Sequence, residues 1–258
     1  MKRIFRLYLV FFKVNWMQEI EFRVNFAVNS MMSVGWILSF LLFTQIIFGR
    51  MNAIAGWTKP EVVLLVITQA FSWSLLMISA IPGMDKLSEK IKRGDLDQLL
   101  TKPVSARLLL AIGSQNADGL LQIPLLFIMI SILSKNNSPL ILMSYLLLVM
   151  LGSFILYNVF FMIHTTAFWL TDLFNIGHLI ESLASTGKLP PTIFKEKVRV
   201  VLCYLVPTVF IAAIPTRVLL GDPILPSLLL STVVAIITFV ISQMFWNFAL
   251  RHYSSASS

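Results

Sequence analysis

Asp118, His164 and the dipeptide Gly187-Lys188 are the residues whose types and settings invite a chemical reading. An ionisable group inside an apolar stretch is a functional candidate, because hydrocarbon penalises charge that serves no pathway or relay. Asp118 stands with Gln115, Asn116 and Gln122 at the start of one apolar run. An aspartate or asparagine there also serves as a helix cap, and that reading is preferred. His164 sits with Asn158, Thr165 and Thr166 at the end of another run, where an interfacial hydrogen bonder is expected rather than a proton relay. A phosphate loop needs Gly, four residues, then Gly-Lys-Ser/Thr, so that backbone N–H groups cradle phosphate. Gly187-Lys188 lacks the earlier glycine and is followed by Leu189. No Gly-x-Ser-x-Gly occurs, and His164, His178 and His252 have no metal-binding spacing. The single Cys203 excludes an internal disulfide and a cysteine-rich metal site. Neither a catalytic centre nor a bound cofactor is expected.

The elements that position these residues are membrane spans. Of 258 residues, 57% are hydrophobic and only 12% charged, and the mean hydropathy is +0.84. A soluble domain is about 25% charged, so lipid must be the solvent. Six transmembrane helices are predicted, at 26–48, 62–83, 117–133, 140–163, 198–214 and 226–248, each near the roughly 20 residues a crossing needs. The third and fifth are short or interrupted, the fifth by Pro207 and Pro215. Those prolines would either kink a span or form a re-entrant turn.

The net charge of +8 reads as an orientation signal, not as a nucleic-acid footprint. Of 20 basic residues, 16 fall in the N-terminal segment, the loop 85–107, the loop 171–199 and the C-terminus; the alternate loops hold Arg50, Lys59, Lys135 and Arg217. Both termini and both of those loops are therefore expected in the cytoplasm. Residues 1–24 read as a basic, aromatic helix lying on the membrane surface, with Phe5, Leu9, Phe12 and Trp16 as its stem. The whole chain, 1–258, reads as one membrane domain.

The loop 85–107 concentrates charge: Lys86, Lys90, Lys92, Arg93, Lys102 and Arg107, with Asp85, Glu89, Asp95 and Asp97 interleaved. A helix over 84–93 would carry Leu87 and Ile91 on one face and end at Gly94. Asp95 would cap a second helix, 96–100, stopped by Pro103. Leu96, Leu99 and Leu100 would then offer a docking face. A solvated basic loop held to anionic lipid is the plainer alternative.

Residues 91–104, Ile-Lys-Arg-Gly-Asp-Leu-Asp-Gln-Leu-Leu-Thr-Lys-Pro-Val, resemble the cytoplasmic loop of permease subunits of ATP-binding-cassette exporters of the type-2 class. The likeness is strongest to a compact six-span bacterial group. It extends to Glu21-Phe22-Arg23 with Asn25-Phe26, Gly56-Trp57 with Glu61, Phe168-Trp169, Leu189 to Phe194, Pro207 and Pro215. Lys195-Glu196-Lys197 is more charged than that pattern. The resemblance implies that Arg93, Gly94, Asp95, Leu96, Asp97 and Pro103 engage a separate ATPase subunit, which would bind and hydrolyse the ATP. It implies a second cytoplasmic contact at Glu181 and Lys188, with an interfacial amphipathic segment as the alternative there. Asp118, Gln122 and His164 remain pathway or structural polar residues. A second permease copy, or a similar permease, would complete the assembly. An ion-driven transporter would want midplane carboxylates, which the predicted spans almost lack. A structural membrane subunit is the remaining alternative.

Overall fold

The computed structural model describes residues 2–21, 23–114, 118–134, 138–170, 176–204 and 206–253. Helices make up 83% of the chain, so the class is all-α. They are α1 (Lys2–Glu21), α2 (Arg23–Phe48), α3 (Lys59–Ser79), α4 (Ile81–Asp85), α5 (Leu87–Arg93), α6 (Leu96–Leu100), α7 (Ala106–Gly113), α8 (Asp118–Leu133), α9 (Pro139–Thr165), α10 (Ile176–Ser185), α11 (Glu196–Tyr204), α12 (Ala213–Leu219) and α13 (Ile224–Arg251). A small hairpin, β1 (Ala53–Ile54) with β2 (Trp57–Thr58), separates α2 from α3. Its two-residue turn puts Ala55 and Gly56 at φ 50° and 87°, the paired positive φ values that tight hairpins require. Thr58 and Glu61 then close a capping box at the start of α3.

Four helices are long and apolar enough to cross a membrane: Phe26–Phe48, Lys59–Ile78, Pro139–Phe168 and Ile224–Arg251. Their burial divides them. The apolar windows of α3 and α9 are 67% and 56% buried, against 6% for α2 and 11% for α13. The central pair therefore forms the core, while the other two present Met31, Leu42, Ile46, Leu229, Ile236 and Met244 outward. Leaving such side chains in water forgoes about 1.5–3 kcal/mol each, so this surface belongs in lipid.

The direction of each helix follows from its contacts. Tyr145 O–H donates to Thr68 Oγ1 at 3.4 Å, Trp73 meets Phe160 edge to face, and His164 approaches Asp85. So α9 runs beside α3 with both starts at the hairpin end and both ends at the α4–α7 island. Phe161 packs on Trp246 and Ile155 clusters with Ala235, which gives α13 the same sense. Ser74 with Gln122 and Phe71 with Phe127 set α8 the other way. The third predicted span is thus present as a helix of 16 residues with Pro124 inside it.

The fifth differs from expectation. Residues 198–214 are not one helix: α11 ends at Tyr204, a 3-10 turn spans Thr208–Phe210, and α12 begins at Ala213. Ser72 Oγ donates to the Ile211 carbonyl at 2.6 Å, and the Phe210 carbonyl abuts Gly152 in the middle of α9. The chain therefore dips to mid-length of the bundle and returns through α12 to the Gly221 turn (φ 113°). Pro207, which has no N–H to donate into a helix, stands just before the 3-10 turn.

The loop predicted at 171–199 also needs correction, because it is not confined to one end. Gly177 lies against Asp85 at the island end. Gln69 Nε2, midway along α3, donates to the Ala184 carbonyl at 3.3 Å. Thr192 Oγ1 donates to the Ala55 carbonyl of the hairpin at 2.8 Å. Residues 176–193 thus climb the whole length of the bundle.

Candidate functional site

A half-open cleft of about 760 Å³ lies between α2, α3, α8 and α10. Trp36 and Phe40 of α2 and Trp73 of α3 supply aromatic walls, and Gln69, Ser74, Gln122, Glu181, Ser185 and Lys188 supply polar ones. Gln122 is buried and its Oε1 accepts a hydrogen bond from Ser74 Oγ at 3.1 Å. It belongs to the cleft wall. Glu181 and Lys188 line this cleft at successive heights of the climbing segment. The Lys188 ammonium stands 4.9 Å above the Phe40 ring. Glu181 is exposed at the lower mouth, 4.0 Å from His178 Nδ1.

Below the cleft the island folds as short helices. Lys86 separates α4 from α5, so the helix predicted over 84–93 is broken there. Leu87 and Ile91 are buried as their spacing implied, and Gly94 (φ 76°) ends α5 in the left-handed conformation. Asp95 occupies the cap position of α6 but its side chain makes no cap hydrogen bond, contrary to expectation. Leu96 is fully buried and cannot offer a docking face; Leu100 and Pro103 are exposed, and Asp97 is half-buried. Arg93 pairs with Glu89 at 2.7 Å, both solvated, so that pair adds little stability. Asp118 opens α8, but its side chain and residues 115–117 lie outside the described residues, as does the cap assigned to it.

Arg107, counted in the sequence as one cation of a solvated island, is buried. Its guanidinium donates to Tyr157 Oη and to Gln243 Oε1, each at 3.3 Å, and to Asn158 Oδ1. It also lies 4.5 Å from the Phe161 ring centre. Its described partners are all uncharged, and they join α7 to α9 and α13. The signal that points to it is Asn158 and Gln243, amides inside apolar runs that need partners.

His164 is buried, with Nε2 3.4 Å from Asp85 Oδ1. Burial raises the Asp85 carboxyl above its ordinary 3.8, and nearby His178 works against that rise. Between 3.8 and the raised folded value, the folded protein binds more protons than the unfolded chain, so stability falls as pH rises through that window. Asp85→Asn is expected to remove this slope. Thermal midpoints of both proteins across mildly acidic pH check it: parallel curves would refute the assignment.

An all-α bundle with long apolar helices on its outside is that of a multi-pass membrane protein. The chain belongs to the ABC-2 family: the profile described as "ABC-2 family transporter protein" matches residues 34–257. It is the membrane component of an ABC transporter. No curated protein and no solved structure matches it.

Proposed function

We propose that this chain, as one permease domain over 1–258, forms the substrate pathway of an ATP-driven exporter and is powered by a separate ATPase subunit. The observation that carries this reading is the attachment of the island to the bundle. Leu87, Ile91 and Leu96 share one core with Phe160, Phe161 and Trp246. A short helix anchored in this way passes on a push from below, whereas a solvated loop would absorb it. The contact surface on the ATPase is Arg93, Gly94, Asp95, Asp97, Leu100 and Pro103, with buried Leu96 holding α6 in place.

The membrane arrangement has six crossings, with residues 176–193 as the fifth and 196–219 as a re-entrant element on the outer side. Both termini and the island are cytoplasmic. Moving Lys195, Lys197 and Arg199 to the outer side and Lys188 into the membrane still leaves twelve cations inside against seven outside. Helix α1 lies in the interface: Leu9, Val10, Val14 and Met17 are exposed, beside solvated Arg6 and Lys13. The open side of the cleft, with Ser182, Ser185 and Glu181 on its wall, cannot face hydrocarbon without cost. A second permease copy closes it.

Mild-detergent purification from the host membrane tests this. A nucleotide-binding subunit is expected to co-elute with the wild-type chain and to be lost with Leu100→Asp, while the permease stays in the membrane. Recovery of the wild-type chain alone in several detergents would overturn the reading.

A further inference from the structure

We propose that Lys188 receives the anionic head of a single-chain amphipathic carboxylate, whose tail lies along the aromatic wall of the cleft. The inference rests on reading the cleft as the substrate pathway and adds the sign of charge that it selects. The volume of about 760 Å³ falls within the roughly 300–1,000 Å³ typical of small-molecule sites. Trp36, Phe40 and Trp73 line it with flat apolar surface suited to an alkyl chain.

Two charged groups compete to set the polarity of the ligand. Glu181 lies on α10 and Lys188 ends the 3-10 turn that follows it; the Glu181 carboxylate acts on the Lys188 ammonium through space without pairing with it. That carboxylate is two-thirds exposed and has His178 beside it at 4.0 Å, so water screens its field. Lys188 lies deeper, against the Phe40 ring, where the effective dielectric is lower and a charge acts more strongly. No carboxylate among the described residues forms an ion pair with it. The ring face partly offsets the cost of holding an ammonium at this depth. A ligand carboxylate offsets the rest, and a cationic head at this position meets repulsion.

The test uses the full chain in nanodiscs of unbrominated zwitterionic lipid, with 9,10-dibromostearate quenching tryptophan fluorescence. Saturable quenching is expected, and its loss in the Trp36→Phe, Trp73→Phe double variant locates it in the cleft. Removing one charge-assisted contact in K188Q is expected to raise the half-saturating concentration about tenfold. K188R, which keeps the charge, is expected to stay within about threefold, and E181Q to lower the concentration. The choline ester of the same brominated acid is expected to bind wild-type protein no better than the free acid binds K188Q. The proposal fails if the choline ester saturates as readily as the acid. An unchanged curve for K188Q, or a raised concentration for E181Q, would overturn it too. Because this readout needs no ATPase, it separates the two readings. Binding without a co-eluting ATPase refutes only the exporter; a co-eluting ATPase without binding refutes only the anion site.

Discussion

Gly152→Val is expected to abolish most of the properly folded permease. A Cβ at residue 152 would collide with the Phe210 carbonyl, its carbon and the Ile211 Cα, all of them backbone. No side chain can rotate away, so either α9 or the re-entrant turn must shift. Overpacking of this kind typically costs about 1–3 kcal/mol, and backbone opposition puts this site at the upper end. The shift would also disturb the Ser72 to Ile211 hydrogen bond. Gly35→Val on α2 is the matched control, since nothing lies within 4 Å of its Cβ. Monodisperse protein remaining after graded heating, read by fluorescence-detected size-exclusion chromatography, separates the two. Equal survival of both variants would mean that the turn does not press on α9.

Arg107→Ala is expected to have the second-largest effect. The arginine side chain satisfies Tyr157, Asn158 and Gln243 together. Its loss leaves the buried Asn158 Oδ1 without its donor, at about 1–3 kcal/mol, and removes a smaller contribution at half-buried Tyr157 and Gln243; such losses do not add simply. Arg107→Lys retains the charge but not the planar fork that reaches several partners, so partial loss is expected. Lys86→Ala is the control: its Nζ meets Ser114 Oγ at 3.0 Å on the exposed side. Thermal midpoints should order wild type, Lys86→Ala, Arg107→Lys, Arg107→Ala from highest to lowest. A further consequence concerns coupling. With α7 loosened, ATPase activity in the assembled complex should respond less to transported substrate.

The helices most legible in the sequence were those whose surroundings are simplest. Long uninterrupted apolar runs marked α2, α3, α9 and α13, because lipid or a dry core rewards apolar residues at every turn. The same rule misdirects over residues 198–214. They are apolar enough to read as a span, yet they form two short helices around a 3-10 turn, packed on α3 and α9 at Ser72 and Gly152. Residues 176–193 read as a polar loop because His178, Glu181, Ser182, Ser185 and Lys188 interrupt them. Several of those line a cleft rather than lipid, and hydropathy cannot distinguish a cleft-facing helix from a solvated one. Arg107 was hidden for a related reason. Its partners Asn158 and Gln243 are 51 and 136 residues away, and no local pattern reports such distances. Within the island, Gly94 and the Leu87–Ile91 pair followed from local rules, whereas the burial of Leu96 depends on the bundle above it.

The re-entrant element also dictates an order of assembly. Backbone that is not helical cannot rest in hydrocarbon unless protein satisfies its polar groups. The turn at 208–211 obtains that satisfaction from Ser72 and fits only where Gly152 leaves room. Both residues precede it in the chain, so their helices emerge from the ribosome first, whereas Ala235 of α13, which clusters with Phe210, emerges after it. The turn at 208–211 is thus seated between helices made before it and one made after it, so its packing is complete only once α13 is in place.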